Sequence, residues 1–246
     1  MRAVYREQTY IHGECATVSL YPVFENRRAR RGRYLPTSEA QQALNEWNRK
    51  ERLGRQLDAN FRMGEGFWRL SFTDENLPKT RGECMRVYQA FKKRLARYME
   101  RAGLGTLRMA TVIHGDAGRQ DDGGRLHLHA VVGADISAEV MDRLWGQGLI
   151  MVTPLRKSKK GLRGLAKYML SGMWWGRVMT TRNLVDPLPR EKTGVIGKDK
   201  VKEIHDNWDD ASAYEGLIPG YEIVEVKPFY NWFNHYYYLR VYLHKY

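Results

Sequence analysis

The sequence has few cysteines, no long apolar run and fewer acidic than basic residues. Its 246 residues include only two cysteines, Cys15 and Cys84, which are far apart and form no CxxC pair. This excludes a cysteine-built zinc cage and a disulfide scaffold, and it fits a reducing compartment. No stretch approaches the roughly 18 consecutive apolar residues of a membrane-spanning helix. Because the N-terminal residues also lack the apolar core of a signal peptide, we expect a soluble cytoplasmic protein.

The charge of the chain is strongly positive. Lysine and arginine total 41 against 28 acidic residues, which gives a formal net charge of +13. Such an excess favours a polyanionic partner, most often nucleic acid, although a merely basic protein remains the alternative. The run from Asn26 to Arg33 contains five arginines. We expect it to form a flexible arm that contacts phosphates.

Hydrophobic periodicity predicts three parts. Residues 1–60 form an N-terminal basic arm and helix, residues 61–180 a central core, and residues 181–246 a connector and an aromatic C-terminal extension that packs on the core. The core elements predicted from their patterns are strand 67–73, helix 82–102, strand 107–113, strand 126–132, helix 137–145, strand 149–155 and helix 161–173. This order predicts an α+β fold, a mainly antiparallel sheet with helices packed on it.

Two histidines mark the strand in GGRLHLHAVV, residues 123–132. Side chains at i and i+2 of a strand leave the same face, so His127 and His129 could bind one divalent ion. Two half-buried histidines on an ordinary strand are the alternative. The preceding hairpin strand offers Asp116 as the preferred third ligand and His114 as the second choice. A carboxylate would suit Mg²⁺ or Mn²⁺, and three protein ligands leave positions open for Lewis-acid catalysis.

The helix at 161–173 supplies a candidate nucleophile. It carries Tyr168 beside Lys167, one strand-loop-helix unit after the histidines. A buried core aromatic is the alternative for an isolated helical tyrosine. Basic residues flank these motifs in the sequence and could follow a DNA backbone, or could be solvated surface charges. They are Arg125, Lys157, Lys159, Lys160 and Arg163.

Three motifs in order resemble those of the HUH endonucleases, in particular the replication initiators of small single-stranded DNA phages and rolling-circle plasmids. They are the strand WRLSFT at 68–73, the HLH triplet at 127–129 and the helix GLAKY at 164–168. Residues 38–61 also match the basic helix that ends in Asn-Phe before the first motif. The resemblance implies a ferredoxin- or RRM-like β-α-β-β-α-β core. It also implies a metal held by the two histidines with Asp116, and a catalytic Tyr168 assisted by Lys167.

The implied activity is nicking of single-stranded DNA at a replication origin. Tyr168 would form a 5′-phosphotyrosine and leave a 3′-OH for a host polymerase, with a helicase as a further partner, in a bacterial host cytoplasm. Two positions differ from the family pattern: Gly164 replaces the first tyrosine of two-tyrosine members, and Ser171 replaces a lysine of some single-tyrosine members. The alternatives are a single-tyrosine transposase or relaxase on this scaffold, and a non-catalytic single-stranded nucleic-acid binder whose aromatic C-terminal residues stack on bases.

Overall fold

A computed structural model of the protein describes residues 3–24, 39–115, 125–171, 177–194, 196–210, 218–231 and 235–246. The elements of the first half of the chain are β1 (Ala3–His12), β2 (Cys15–Phe24), α1 (Glu39–Asn60), β3 (Gly66–Ser71), α2 (Arg81–Arg101), β4 (Met109–His114) and β5 (His127–Val132). The elements that follow are α3 (Ala138–Trp145), β6 (Ile150–Pro154), α4 (Arg163–Leu170), β7 (Met179–Thr180), β8 (Arg190–Thr193), α5 (Lys198–Asp206), β9 (Tyr221–Asn231) and β10 (Tyr236–Lys245).

The chain divides into two compact units. The first comprises Met1–Ala59, Ser158–Gly161 and Asp186–Tyr246, and the second comprises Asn60–Lys157 and Leu162–Val185. The second unit therefore corresponds closely to the core predicted at 61–180. The N-terminal and C-terminal parts, which the sequence pattern treats separately, belong together in the first unit.

The first unit is built on an antiparallel sheet with the strand order β8-β1-β2-β10-β9. Strands β2 and β10 supply alternate small and branched apolar residues to its core, and α5 adds Ile204. Of the C-terminal aromatic residues that the structure describes, those in paired strands of this sheet include Phe229, Tyr230, Tyr236, Tyr237, Tyr238 and Tyr242. The sequence patterns indicate neither β1 nor β8, and they assign 186–202 to a connector where β8 and α5 begin. Strand β8 pairs with β1, which lies far away along the chain and outside any local window, whereas β1 pairs with β2 through a tight hairpin.

The second unit has an antiparallel sheet in the order β6-β3-β5-β4-β7. Strands β3 and β5 occupy the centre and β4 and β6 flank them, which is the arrangement of a ferredoxin-like β-α-β-β-α-β unit. The α+β fold class is therefore confirmed. The short β7 extends the sheet beyond β4 and has no counterpart in the sequence prediction.

One face of this sheet is covered by α2 and α3, which enclose the main core. Helix α2 contributes Tyr88, Phe91 and Leu95, and α3 contributes Trp145. The Thr80 hydroxyl caps α2 by accepting from the Glu83 amide at 3.2 Å, and this cap satisfies one of the unpaired donors at the helix start. Ser137 caps α3 in the same way, as its sequence predicts.

Two sequence predictions fall on residues outside the described ranges. The arginine-rich run at 26–33 is one, and Asp116 is the other. Across the described residues, no helix is both long enough and apolar enough to cross a membrane.

The turn at residues 158–161 lies against a buried polar contact of the first unit. His12 Nδ1 lies 3.2 Å from Asp58 Oδ2, and His12 Nε2 lies 3.1 Å from the Thr17 hydroxyl. Gly161 has a φ of +61°, and a Cβ added there would overlap the Asp58 carboxylate. A side chain at this position would have to displace a buried carboxylate that is already bound.

Substituting Gly161→Ala should lower the free energy of unfolding by about 2 kcal/mol or more, because it combines left-handed strain with the overlap at Asp58. The matched variant is Gly164→Ala in α4, where an added Cβ meets nothing within 4 Å. It should raise stability by about 0.5–1 kcal/mol, since alanine loses less backbone entropy in a helix. Urea unfolding of the two variants checks this pair, and equal effects would contradict the assignment of Gly161.

Candidate metal centre

Three histidines meet on the face of the second sheet that is opposite the main core. His114 at the end of β4 is the cross-strand partner of His127 at the start of β5. His129 follows two residues later on the same face. The intervening Leu128 is buried in the core on the other face. Alternation along β5 therefore anchors the strand by its leucine and presents both imidazoles together, as the sequence predicts.

Backbone carbonyls fix the orientation of two of the rings. His127 Nδ1 lies 2.8 Å from the carbonyl oxygen of Arg125, and His114 Nε2 lies 2.7 Å from that of Met169 in α4. A carbonyl only accepts, so each of these ring nitrogens carries a proton. The lone pair of the neutral ring is then on Nε2 of His127 and on Nδ1 of His114. A ring N–H donated to a backbone carbonyl is the usual support of a metal-ligating histidine.

The third ring, His129, completes the cluster. Its Nε2 lies 3.1 Å from His127 Nε2, and the three histidines each offer a ring nitrogen within 4.8 Å of the others. Two nitrogens that bind one ion at about 2.1 Å lie about 3 Å apart. Since His127 Nε2 bears a lone pair, the close pair needs a proton or a cation between its members. The cluster can therefore hold a metal ion.

Burial keeps these rings neutral. Desolvation is the largest cause that lowers the pKa of His129, to about 3, and the neighbouring His114, His127 and Arg69 lower it further. Desolvation also lowers the pKa of His114 and of His127, in each case against the opposing effect of the carbonyl hydrogen bond. Neutral imidazoles bind metal without first releasing a proton.

Tyr168 projects from α4 toward this cluster. Its hydroxyl oxygen lies 3.4 Å from His129 Nε2, and its ring packs edge-on against Phe67. The side chain is 51% exposed, so Tyr168 is not a buried core aromatic. A phenol that is both open to solvent and beside the histidines is accessible to a large substrate.

The other residues predicted for the site take different positions. Lys167 is exposed on α4, next to Tyr168 in sequence. The guanidinium of Arg125 donates to Asp74 Oδ1 at 2.7 Å and to the Phe72 carbonyl at 2.9 Å. These bonds hold the Arg125 backbone, whose carbonyl orients His127. In the structure, Arg125 therefore positions the ring of His127 through its backbone carbonyl.

The remaining predicted DNA-binding residues are divided between the two units. Lys159 and Lys160 belong to the first unit and form ion pairs with Glu222 at 2.7 Å and Glu225 at 3.1 Å. Lys157 and Arg163 belong to the second unit. Exposed ion pairs of this kind contribute little to stability and exchange readily with other partners.

Two residues beside the histidines have no role in the sequence prediction. The ring of Phe67 stacks on His129 with an interplanar angle of 10° and 5.2 Å between centroids. Arg69 is the cross-strand partner of His129 on β3. Phe67 directly precedes the strand motif WRLSFT, and Arg69 lies within it. Their i, i+2 spacing could have predicted that both side chains lie on one face of the strand.

A second group of metal-binding residue types lies in the first unit, where His12, Cys15 and Asp58 are all buried. Both ring nitrogens of His12 are already hydrogen-bonded, to Asp58 and Thr17. Cys15 Sγ lies 3.8 Å from the Lys159 carbonyl. This group is accounted for as a buried hydrogen-bond network, whereas the Nε2 atoms of His127 and His129 lie 3.1 Å from each other.

Comparisons with protein-family models, with curated proteins and with solved structures found no match for this chain. The histidine cluster and Tyr168 are therefore the basis for assigning a function.

The third ligand can be tested by comparing two alanine variants. His114→Ala should weaken Mn²⁺ binding by at least about tenfold, because it removes one of the three converging imidazoles. Asp116→Ala should weaken it less. Isothermal titration of both variants and the wild type gives the affinities. The reverse order would make Asp116 the third ligand, as the sequence alone favours.

The low pKa of His129 predicts a pH-dependent stability of the metal-free protein. Unfolded histidine binds a proton below pH 6.5, whereas folded His129 stays neutral down to about pH 3, so acidification favours unfolding. Between pH 7 and pH 5, His129→Gln should therefore lose about 2 kcal/mol less stability than the wild type. Urea unfolding with a chelator present measures this. His244→Gln, in the other unit, serves as control, and equal pH dependence of wild type and His129→Gln would refute the burial argument.

Proposed function

We propose that this protein is a metal-dependent endonuclease that cleaves single-stranded DNA through a covalent tyrosine intermediate. The observation that carries the proposal is the 3.4 Å distance between the Tyr168 hydroxyl and His129 Nε2, within a cluster of three histidines. An isolated exposed tyrosine has no such neighbour. The resemblance of the three ordered motifs to HUH replication initiators supports the same chemistry.

The proposed reaction exchanges one phosphate ester for another. The oxygen of Tyr168 forms a bond to phosphorus as the bond from phosphorus to the 3′ oxygen breaks. The phenolic proton is released, and the departing 3′ oxygen takes up a proton. The products are a 5′-phosphotyrosine and a free 3′-OH, which a host polymerase can extend. Attack by a 3′-OH on the phosphotyrosine reverses these steps and rejoins the strand.

A bound divalent ion would polarise the scissile phosphate and stabilise the negative charge that develops on it. Three imidazoles are better suited to a transition metal than to Mg²⁺, which prefers oxygen ligands. Of the two ions expected from the sequence, we therefore favour Mn²⁺. Phe67 and the carbonyls of Arg125 and Met169 hold the rings in position for it.

The positive net charge of +13 supports a polyanionic substrate, because phosphate contacts by lysine and arginine supply most of the affinity for nucleic acid. A single tyrosine on α4 limits the reaction to one covalent step at a time. Gly164, one turn before Tyr168, brings no second phenol to this helix. Completion of a replication round would then need a second subunit or a 3′-OH acceptor.

Substituting Tyr168→Phe should abolish the covalent adduct, because the variant keeps the ring and removes only the attacking oxygen. Wild-type protein, Mn²⁺ and a labelled pool of circular single-stranded DNA should give a protein–DNA band that survives denaturation. The matched control, Tyr246→Phe, changes a tyrosine that is 87% exposed and lies in the other unit. It should form the adduct normally.

An adduct that persists in Tyr168→Phe would show that another residue is the nucleophile. DNA binding without any adduct from the wild type, retained in His127→Ala, would support the non-catalytic binder instead.

A further inference from the structure

Arg69 occupies the centre of the second sheet, directly beside the histidine cluster. It lies on β3 opposite His129 of β5 on one side and Met151 of β6 on the other. Residues directly opposite one another on antiparallel strands project to the same face. The side chain of Arg69 therefore lies on the same face of the sheet as His127 and His129. The Nε2 atom of His129 is also the one that lies 3.4 Å from the Tyr168 hydroxyl.

The positive charge of Arg69 has no described counter-charge. Its Nε is buried, and within the described residues this atom has no hydrogen-bond partner. Among the residues that the structure describes, no carboxylate forms an ion pair with Arg69. A guanidinium stays charged at any physiological pH and offers five N–H donors. Arg69 is half-buried, so a ligand bound at this face of the sheet would meet its fixed positive charge, and that charge favours an anion.

The positive charge of Arg69 acts electrostatically on all three histidines. It contributes to the lowered pKa of His114, of His127 and of His129. A divalent cation held by these rings would experience the same repulsion. An anion that contacts both the cation and the guanidinium would relieve this repulsion.

We propose that Arg69 binds the non-bridging oxygens of a phosphodiester at the histidine cluster, and that it is a catalytic residue of the endonuclease. This inference rests on the proposed function and names a recognition group that the three motifs do not include. The planar fork of arginine fits two phosphate oxygens at once, which a lysine ammonium does not. Arg69, rather than the exposed Lys167, then offsets the charge of the transition state.

The test compares Arg69→Met and Arg69→Lys with the wild type in three measurements. These are Mn²⁺ affinity by titration, affinity of the Mn²⁺-loaded protein for inorganic phosphate, and the rate of covalent adduct formation on single-stranded DNA. Arg69→Met should bind Mn²⁺ at least as tightly as the wild type, because a neighbouring cation is removed. It should lose phosphate affinity by about tenfold or more and adduct rate by about 10²–10³-fold. Arg69→Lys, which keeps the charge and loses the fork, should fall between the two.

The matched control is Arg143→Met, an exposed arginine on α3 that should leave all three values unchanged. Lys167→Met should lose less adduct rate than Arg69→Met. Weaker Mn²⁺ binding in both Arg69 variants would assign Arg69 a structural role and overturn the proposal. A normal adduct rate in Arg69→Met would overturn it while leaving the proposed function intact. A wild type that forms no adduct but binds phosphate through Arg69 would refute the nuclease and retain the phosphate site.

Discussion

The register of three adjacent strands is the constraint on which the site depends. Strand β5 pairs with β4 so that His127 faces His114, and with β3 so that His129 faces Arg69. A shift of β5 by one residue would turn both histidines into the core and Leu128 out of it. The core prevents this shift, because α2 and α3 bury Leu128, Ala130 and Val132 of β5. Packing on one face of the sheet thus determines the chemistry on the other.

Burial gives the cluster its electrostatic character. The rings of His114, His127 and His129 are kept neutral mainly by desolvation, and two of them are oriented by backbone carbonyls. Arg69 adds a fixed positive charge to the same face. A neutral nitrogen cluster can hold a cation by itself, and the guanidinium beside it would favour an anion bound together with that cation. We therefore expect metal and phosphate to bind cooperatively beside Tyr168.

Several features of this site could be predicted from the sequence. The i, i+2 spacing placed His127 and His129 on one face, and the helical pattern placed Tyr168 on a helix that follows the next strand. Other features depend on pairing that local patterns do not contain. Arg69 looks like an ordinary polar residue of a strand until β3 is known to lie beside β5. The sequence offers His114 only as the second choice for the third ligand, and the register of β4 against β5 is what places it opposite His127. The ion pairs of Lys159 and Lys160 form with glutamates more than 60 residues away along the chain.

The central claim is that His114, His127 and His129 form a metal centre beside Tyr168. The most direct measurement is a crystal structure of the protein soaked in Mn²⁺, with anomalous diffraction used to locate the ion. The account predicts an anomalous peak bonded to ring nitrogens of all three histidines, on the side of the cluster that Tyr168 faces. A peak only at the buried group of His12, Cys15 and Asp58, or no peak at either place, would contradict it.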